Sequence, residues 1–552
     1  MKKNKFSIVL LLIIIILAAF SSAEAYYKPE EYRKSLLAIR DVERILDKLE
    51  ADLNQAQNTF RIIPGDKITS ELEVIDNSYQ KMINSYQNQN DSDVELEAQK
   101  ISARGKKLRL EIIESKPVQL RAFWLDSGTF AELKGRAGVE AFLDQAAEAN
   151  FNAIFPETFY KGMTVVPTSE LMVQDPGFKS WQEDPLQVLI EAAEKRGIEV
   201  HAWVWVFNEN TAGKPGRILR ENPDWANKDK TGEIVSYHNS SWLSPANSEV
   251  KKYLQQRYQY LVKNYDLDGI NLDYIRFPEE FRGSFGYDNS TVEAFKDKHN
   301  LDPFKIESGS RDAALWNQFR ENLITEMVRE SSEILRQLDP ELLISADVIP
   351  GREEARFRAL QNWSLWLEEG YLDFVLPMTY TENLFSELNS WIKEDREIIK
   401  KPLYAGISVF KLSSAQVVEQ MREINKINPN GFSLFAAAHL KKEDFESLAA
   451  GIFSKKAVLP HQNRKESLAE MQDFILQRLN IIKEAGKINN DDLIKIRRFL
   501  NQKVSLETDT SNAEQGLTLS QFSAANNLNI SADVMEILVS DFNYLDNIIK
   551  LY

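Results

Sequence analysis

A chain of 552 residues is too long for one ordinary compact domain, so two or three domains are expected. Its net charge of −16 excludes the basic footprint of a nucleic-acid binder and of a protein that docks on anionic lipid through a cationic face. The absence of cysteine excludes disulfides, thiolate metal sites, a cysteine nucleophile and lipid attachment at a lipobox cysteine, while a hydrophobic content of 43% is enough for a large core.

In chain order, Lys2, Lys3 and Lys5 precede an unbroken apolar run over 8–20, and Ala23-Glu24-Ala25 has the small-x-small pattern of a cleavage site. Residues 1–25 are therefore expected to be a secretory signal peptide, cut before Tyr26. The apolar run falls short of the about 20 residues that span a bilayer. Removing Lys2, Lys3, Lys5 and Glu24, a net of +2, takes the charge from −16 to −18. No second long apolar segment follows, which predicts a secreted, periplasmic or cell-surface protein with no membrane span after cleavage.

Residues 26–117 read as a helical N-terminal region. Leu36, Leu37, Ile39, Val42, Ile45, Leu46 and Leu49 recur at three-to-four spacing. Ile63-Pro64-Gly65-Asp66 marks a turn, and further helices are expected over 71–87 and 94–114. The region 118–455 changes character and holds all ten tryptophans, from Trp124 to Trp391. Short apolar segments recur eight times, at 119–127, 151–158, 199–208, 267–277, 342–349, 371–380, 402–410 and 431–439, separated by amphipathic stretches. This alternation predicts a (β/α)8 TIM barrel. The third and fourth units are long, so extended loops are expected over 208–245 and 279–312, on the face where such barrels build sites. The C-terminal region, 456–552, is again helical, with helices expected over 467–485, 491–503, 520–526 and 532–549 and a polar loop over 508–515.

The most informative run is Asp268-Gly269-Ile270-Asn271-Leu272-Asp273-Tyr274-Ile275-Arg276-Phe277-Pro278. Strand parity puts Ile270, Leu272 and Tyr274 on the helix-facing side and points Gly269, Asn271 and Asp273 into the barrel, with Asp273 highest at the mouth. A buried aspartate is costly unless paired or chemically employed, and acids at such strand ends are often catalytic. Glycosidic cleavage needs carboxylates, and aromatic rings suit the apolar faces of sugars.

Five motifs in order resemble the glycosyl-hydrolase-like 10 family. They are Arg121-Ala122-Phe123-Trp124-Leu125 at the first strand, Asn150-Phe151-Asn152-Ala153-Ile154 at the second, His201-Ala202-Trp203 at the third, the run from Tyr265 to Tyr274 at the fourth, and Asp373-Phe374-Val375-Leu376-Pro377-Met378-Thr379-Tyr380 at the sixth. The resemblance covers most of 118–455 and neither helical end. It implies an exported barrel with glycosidase activity on bacterial cell-wall or surface glycans, hence a polysaccharide or oligosaccharide substrate, and it places Tyr380 beside the reaction centre. The chain is also distantly similar to family 18 chitinases, through Asp268, Gly269, Asn271, Asp273, Met378 and Tyr380. It departs from them at Ile275, where they carry the acid glutamate, and at Asn271, where they carry an aspartate. A chitinase mechanism with that acid is therefore not expected.

A second carboxyl is needed, about 5–5.5 Å from the first for retention or about 6.5–9.5 Å for inversion. Asp347, in phase with Ser345 on the neighbouring strand, and Glu157, at the end of the second, are the leading candidates, with Asp126, Glu209 and Glu382 behind them. Substrate contacts are expected from Asp126, His201, Trp203, Asn208, Trp225, Trp242, Arg276, Tyr380 and Glu382. His201 equally suits a packing role, and Trp203 the plain core. The five histidines show no metal-binding spacing and there is no phosphate loop, so neither metal nor cofactor is expected. With a charge of −18 the substrate should not be heavily anionic unless the cleft is basic. Two alternatives stay open: a glycan-binding protein on a degenerate barrel, and an envelope scaffold that meets a partner protein through its helical ends.

Overall fold

The computed structural model describes residues 30–236, 238–279, 285–382, 394–395, 398–399, 401–505 and 517–551. The expected signal peptide, Trp391 and the loop expected over 508–515 lie outside the described residues. Among the described residues no helix is long and apolar enough to cross a membrane.

Eight parallel strands form the centre: β1 (Leu120–Leu125), β2 (Ala153–Tyr160), β3 (Glu199–Trp205), β4 (Gly269–Asp273), β5 (Leu343–Val348), β6 (Phe374–Pro377), β7 (Tyr404–Ser408) and β8 (Gly431–Phe435). They pair in the order β7-β8-β1-β2-β3-β4-β5-β6, and parallel bridges Val375↔Leu403 and Met378↔Gly406 bring β6 against β7 to close the ring. Helices connect them, among them Arg136–Glu148, Pro185–Glu194, Ser248–Asn264, Arg311–Leu338 and Ser414–Asn425. This is the (β/α)8 barrel that the eightfold recurrence predicts. Strands covered on both faces read as near-continuous apolar runs, and every residue of β1, β2, β3 and β4 is buried. The long third connection carries its own two-stranded ribbon, Asn208–Asn210 against Ser241–Trp242.

Register sets the levels of the barrel interior. His201 pairs with Gly269, Trp203 with Asn271 and Trp205 with Asp273, while Asn271 pairs with Ser345 across to β5. Only glycine fits at 269, because a Cβ there would lie 2.2 Å from His201 Nδ1 and 2.6 Å from the Leu343 carbonyl oxygen.

The chain divides into two compact units. The barrel unit comprises Val118–Phe445 with Lys456–Leu468 and Asp546–Tyr552. The other comprises the residues up to Pro117 with Glu446–Lys455 and Ala469–Leu545, so helices from both ends of the sequence belong to it. Its N-terminal helices are Glu30–Asn58, Gly65–Gln87 and Asp91–Glu111. They bury one continuous apolar stripe that includes Val42, Leu49, Ile68, Ile75, Met82, Val94, Ile101 and Leu108. From its C-terminal part, Arg478 is buried and donates to Glu114 at 2.7 and 2.8 Å, to Asp541 at 2.9 Å and to the Phe60 carbonyl at 2.7 Å.

Candidate active site

Asp273 is the last residue of β4 and only 6% exposed. The strand stops there because Tyr274 takes the left-handed region at φ 52°, a conformation that costs a non-glycine residue about 1–3 kcal/mol and collects at functional sites. The turn aims the Tyr274 N–H at Asp273 Oδ1, 2.6 Å away, while Trp203 Nε1–H donates to Oδ2 at 3.0 Å. It also overturns the expectation that Tyr274 faces the helices with Ile270 and Leu272. Its ring lies 4.8 Å from that of Trp205 and 5.8 Å from that of Trp242, because a left-handed residue breaks the two-residue alternation on which the parity argument rests. Burial pushes the Asp273 carboxyl up, and the two hydrogen bonds with the charge of Arg276 pull it back, leaving it at about 6. Replacing Trp203 with Phe removes a charge-assisted hydrogen bond to the ionised form. That change is expected to raise the Asp273 value by about one unit, read as an upward move of the acid limb in a pH profile of kcat/KM.

Asp347 lies on the adjacent strand at the same level, since Leu272 pairs with Ala346. Its Oδ2 accepts from Trp124 Nε1 at 3.1 Å and its Oδ1 from Asn271 Nδ2 at 3.3 Å. Burial and then the charge of Asp273 push its carboxyl well above the usual range. Burial and mutual repulsion thus favour a single negative charge shared by the pair. Asn271 Oδ1 is buried without a hydrogen-bond partner, so a flipped Asn271 amide offers an acceptor for a protonated Asp347.

Glu157 faces the same interior from β2, where it pairs with Trp203. Its Oε2 accepts from the Ser127 N–H at 2.9 Å, and burial raises its carboxyl against the pull of Ser127 and Lys161. Tyr380 is stacked on Phe435 with ring centroids 5.3 Å apart. Burial and then the charges of Asp347 and Asp273 push its phenol far up. Phe435 also approaches Trp124 at 5.8 Å and Trp203 at 6.2 Å. Asp273, Asp347, Glu157, Trp203 and Tyr380 are thus brought together beside a cluster of aromatic rings. Trp124 and Phe435 were not among the expected site residues. The available signal for Trp124 was its inward parity with Ala122; Phe435 ends β8 and its contacts cross the whole barrel, so spacing held no trace of them.

The other expected residues are dispersed. Arg276 does not bond Asp273; its guanidinium lies 5.3 Å over the Trp242 ring and 5.6 Å over that of Tyr274, and it pairs with Glu279 at 3.8 Å. Trp242 is buried and donates to Ser236 Oγ at 3.3 Å. Trp225 is half-buried against Tyr253, 5.4 Å between centroids. Asn208 is buried with neither amide atom paired, at a cavity of about 10 Å³ lined also by Trp205, Lys161, Glu209 and Tyr253, room for a single water. Asp126 caps the helix Ser127–Glu132 through Thr129 N–H at 2.9 Å and also accepts from the Ala438 N–H at 3.0 Å. Glu209 accepts from the Gly216 and Ile218 N–H groups at 2.7 and 3.0 Å. Glu382 is exposed and pairs with Lys411 at 3.7 Å. His201 stands four residues before the level of Asp273, about 13 Å down the strand, and is fully buried with Glu199.

The model of the family described as Glycosyl hydrolase-like 10 matches residues 119–422, more than half of the chain. A protein named Glycosyl hydrolase YngK from Bacillus subtilis is 22% identical over 405 residues, covering 62% of this chain and 73% of that protein. Glycosyl hydrolase DigH from Escherichia coli K12 is 24% identical over 320 residues, covering 51% and 68%. Among solved structures, an α-L-fucosidase from Paenibacillus thiaminolyticus aligns at 13% identity with a TM-score of 0.44, over 61% of this chain and about half (49%) of that one.

Proposed function

The chain belongs to the glycosyl hydrolase-like 10 family, and from that premise we propose that it is an exported glycoside hydrolase that cleaves a cell-envelope or extracellular polysaccharide, a peptidoglycan-type or other amino-sugar glycan above all. The observation that carries the reading is the pair Asp273 and Asp347, side by side at the ends of β4 and β5 with carboxyls raised to different degrees. Two acids whose environments push their proton affinities apart are the arrangement glycosidic cleavage uses. Asp273, largely ionised at neutral pH, is the carboxylate that meets the developing oxocarbenium centre. Asp347 holds the proton that goes to the leaving oxygen. The rings of Trp203, Tyr380 and Phe435 give sugar C–H faces an apolar surface.

Neighbouring strands stand about 4.8 Å apart, which suits the roughly 5–5.5 Å carboxyl separation of a retaining enzyme. Glu157, two strands from Asp273, suits the wider, inverting separation. Product anomer therefore reports on the partner. The expected result, by NMR of the fresh reducing end, is net retention; inversion would transfer the acid role to Glu157. The pH profile of kcat/KM should rise through about 6 as Asp273 ionises.

A further inference from the structure

We propose that Glu199, His201 and His461 form a zinc site in the floor of the barrel, at the end opposite the carboxylate pair. Glu199 and His201 are two residues apart at the start of β3 and so point to the same side of it. His461 comes from Lys456–Leu468, a later segment of the same compact unit. Glu199 Oε2 lies 3.0 Å from His201 Nε2 and 2.8 Å from His461 Nε2, and one donor atom from each of the three falls within 4.8 Å of the others. All three side chains are buried, at 6%, 0% and 5% exposure.

Two imidazoles and a carboxylate are a zinc donor set, with ligand distances of about 2.0–2.2 Å. Tetrahedral placement at those distances separates the donors by about 3.3 Å, so the Glu199 oxygen needs to draw back from each imidazole by only a few tenths of an ångström. The surroundings resemble those of a metal site as well. Tyr404 Oη lies 2.7 Å from His461 Nδ1; an Nδ1–H donated to it when the metal is bound would orient that ring and leave its Nε2 lone pair for the ion. Phe374 stacks on His461 at 5.1 Å, and Phe155 covers His201 at 5.1 Å, an apolar shell that limits solvent access. Among the described residues no fourth His, Cys, Asp or Glu joins the three, so the fourth position of a tetrahedral ion falls to one water. The site lies far from Asp273, on the barrel face associated with stability, so the ion is structural: it ties the 456–468 segment to β3.

The test is metal analysis of the purified chain, followed by chelator treatment, titration with zinc alone, and substitution by cobalt. The expected result is one equivalent of zinc bound at micromolar affinity or tighter, the visible absorption bands of four-coordinate cobalt, and loss of both in His461→Gln but not in His299→Gln. Absence of stoichiometric zinc in the wild type, or unchanged binding in His461→Gln, would overturn the proposal and leave the three residues as a metal-free hydrogen-bonded cluster. The wild-type measurement decides on its own should the variant fail to fold.

Discussion

Replacing Asp273 with Asn is expected to lower kcat on any cleaved oligosaccharide by about 10³–10⁴-fold while leaving substrate binding within a few-fold of wild type. Asn keeps the volume and an acceptor for the Tyr274 N–H, but it supplies no negative charge to an oxocarbenium-like centre. The same substitution carries a stability signature that a solvated aspartate would not give. The Asp273 carboxyl stands at about 6, raised from an ordinary 3.8. A group raised on folding contributes most below its unfolded value, and that contribution is lost as pH rises through the folded value. The wild type therefore carries a buried charge at pH 7 that it does not carry at pH 4. The stability difference, Asn variant minus wild type, should grow between pH 4 and pH 7, by up to about 3 kcal/mol for a two-unit shift. Activity and thermal melts across that range check both parts; a flat stability difference would place Asp273 in an ordinary solvated environment.

The second large effect concerns the helical unit. Arg478→Ala is expected to destabilise that unit by about 3–5 kcal/mol, because it leaves Glu114 and Asp541 with only the charge of Lys116 nearby and the Phe60 carbonyl without this donor. Arg478→Lys should recover only part of the loss, since an ammonium lacks the planar fork that serves both acids. Burial pushes the Glu114 carboxyl up, but the Arg478 guanidinium more than offsets this and holds it below its usual 4.5. A depressed group contributes stability above its unfolded value and loses it as pH falls through the folded one. The wild-type helical unit should thus loosen below about pH 4.5, and this dependence should be weaker in Arg478→Ala. Calorimetry, which resolves separate transitions of a two-unit chain, is the measurement. A melt unchanged by Arg478→Ala would mean that the buried pairs contribute nothing net.

Periodicity made the barrel legible, because a strand buried on both faces leaves a short apolar run and an amphipathic helix a 3.6-residue stripe, each visible without knowledge of contacts. The same local logic reached Asp273 and Asp347, whose inward direction follows from parity with Asn271 and Ser345. It failed at Tyr274, where one left-handed residue cancels parity. It gave no sign that the Arg276 guanidinium lies over the ring of Trp242, from another loop. What it could not reach are contacts between residues remote in the chain. Trp124 meets Asp347 at a separation of 223 residues, and His461 meets Glu199 at 262. Motif spacing describes metal ligands brought together by a turn or a helix, not ligands brought together by barrel closure, so five scattered histidines gave no warning of the cluster at Glu199.

Hydrolysis of a glycan by the carboxylate pair has a direct readout. Reducing-end release with mass analysis tests it most directly, on peptide-free cell-wall strands, chitin oligomers and deacetylated chitin oligomers, each with the Asp273→Asn control. New reducing ends are expected from an amino-sugar glycan with the wild type and none with the variant. Tight binding of these glycans without cleavage would contradict this and assign the barrel to glycan binding, with the fully buried Ile275 standing where a chitinase carries its acid.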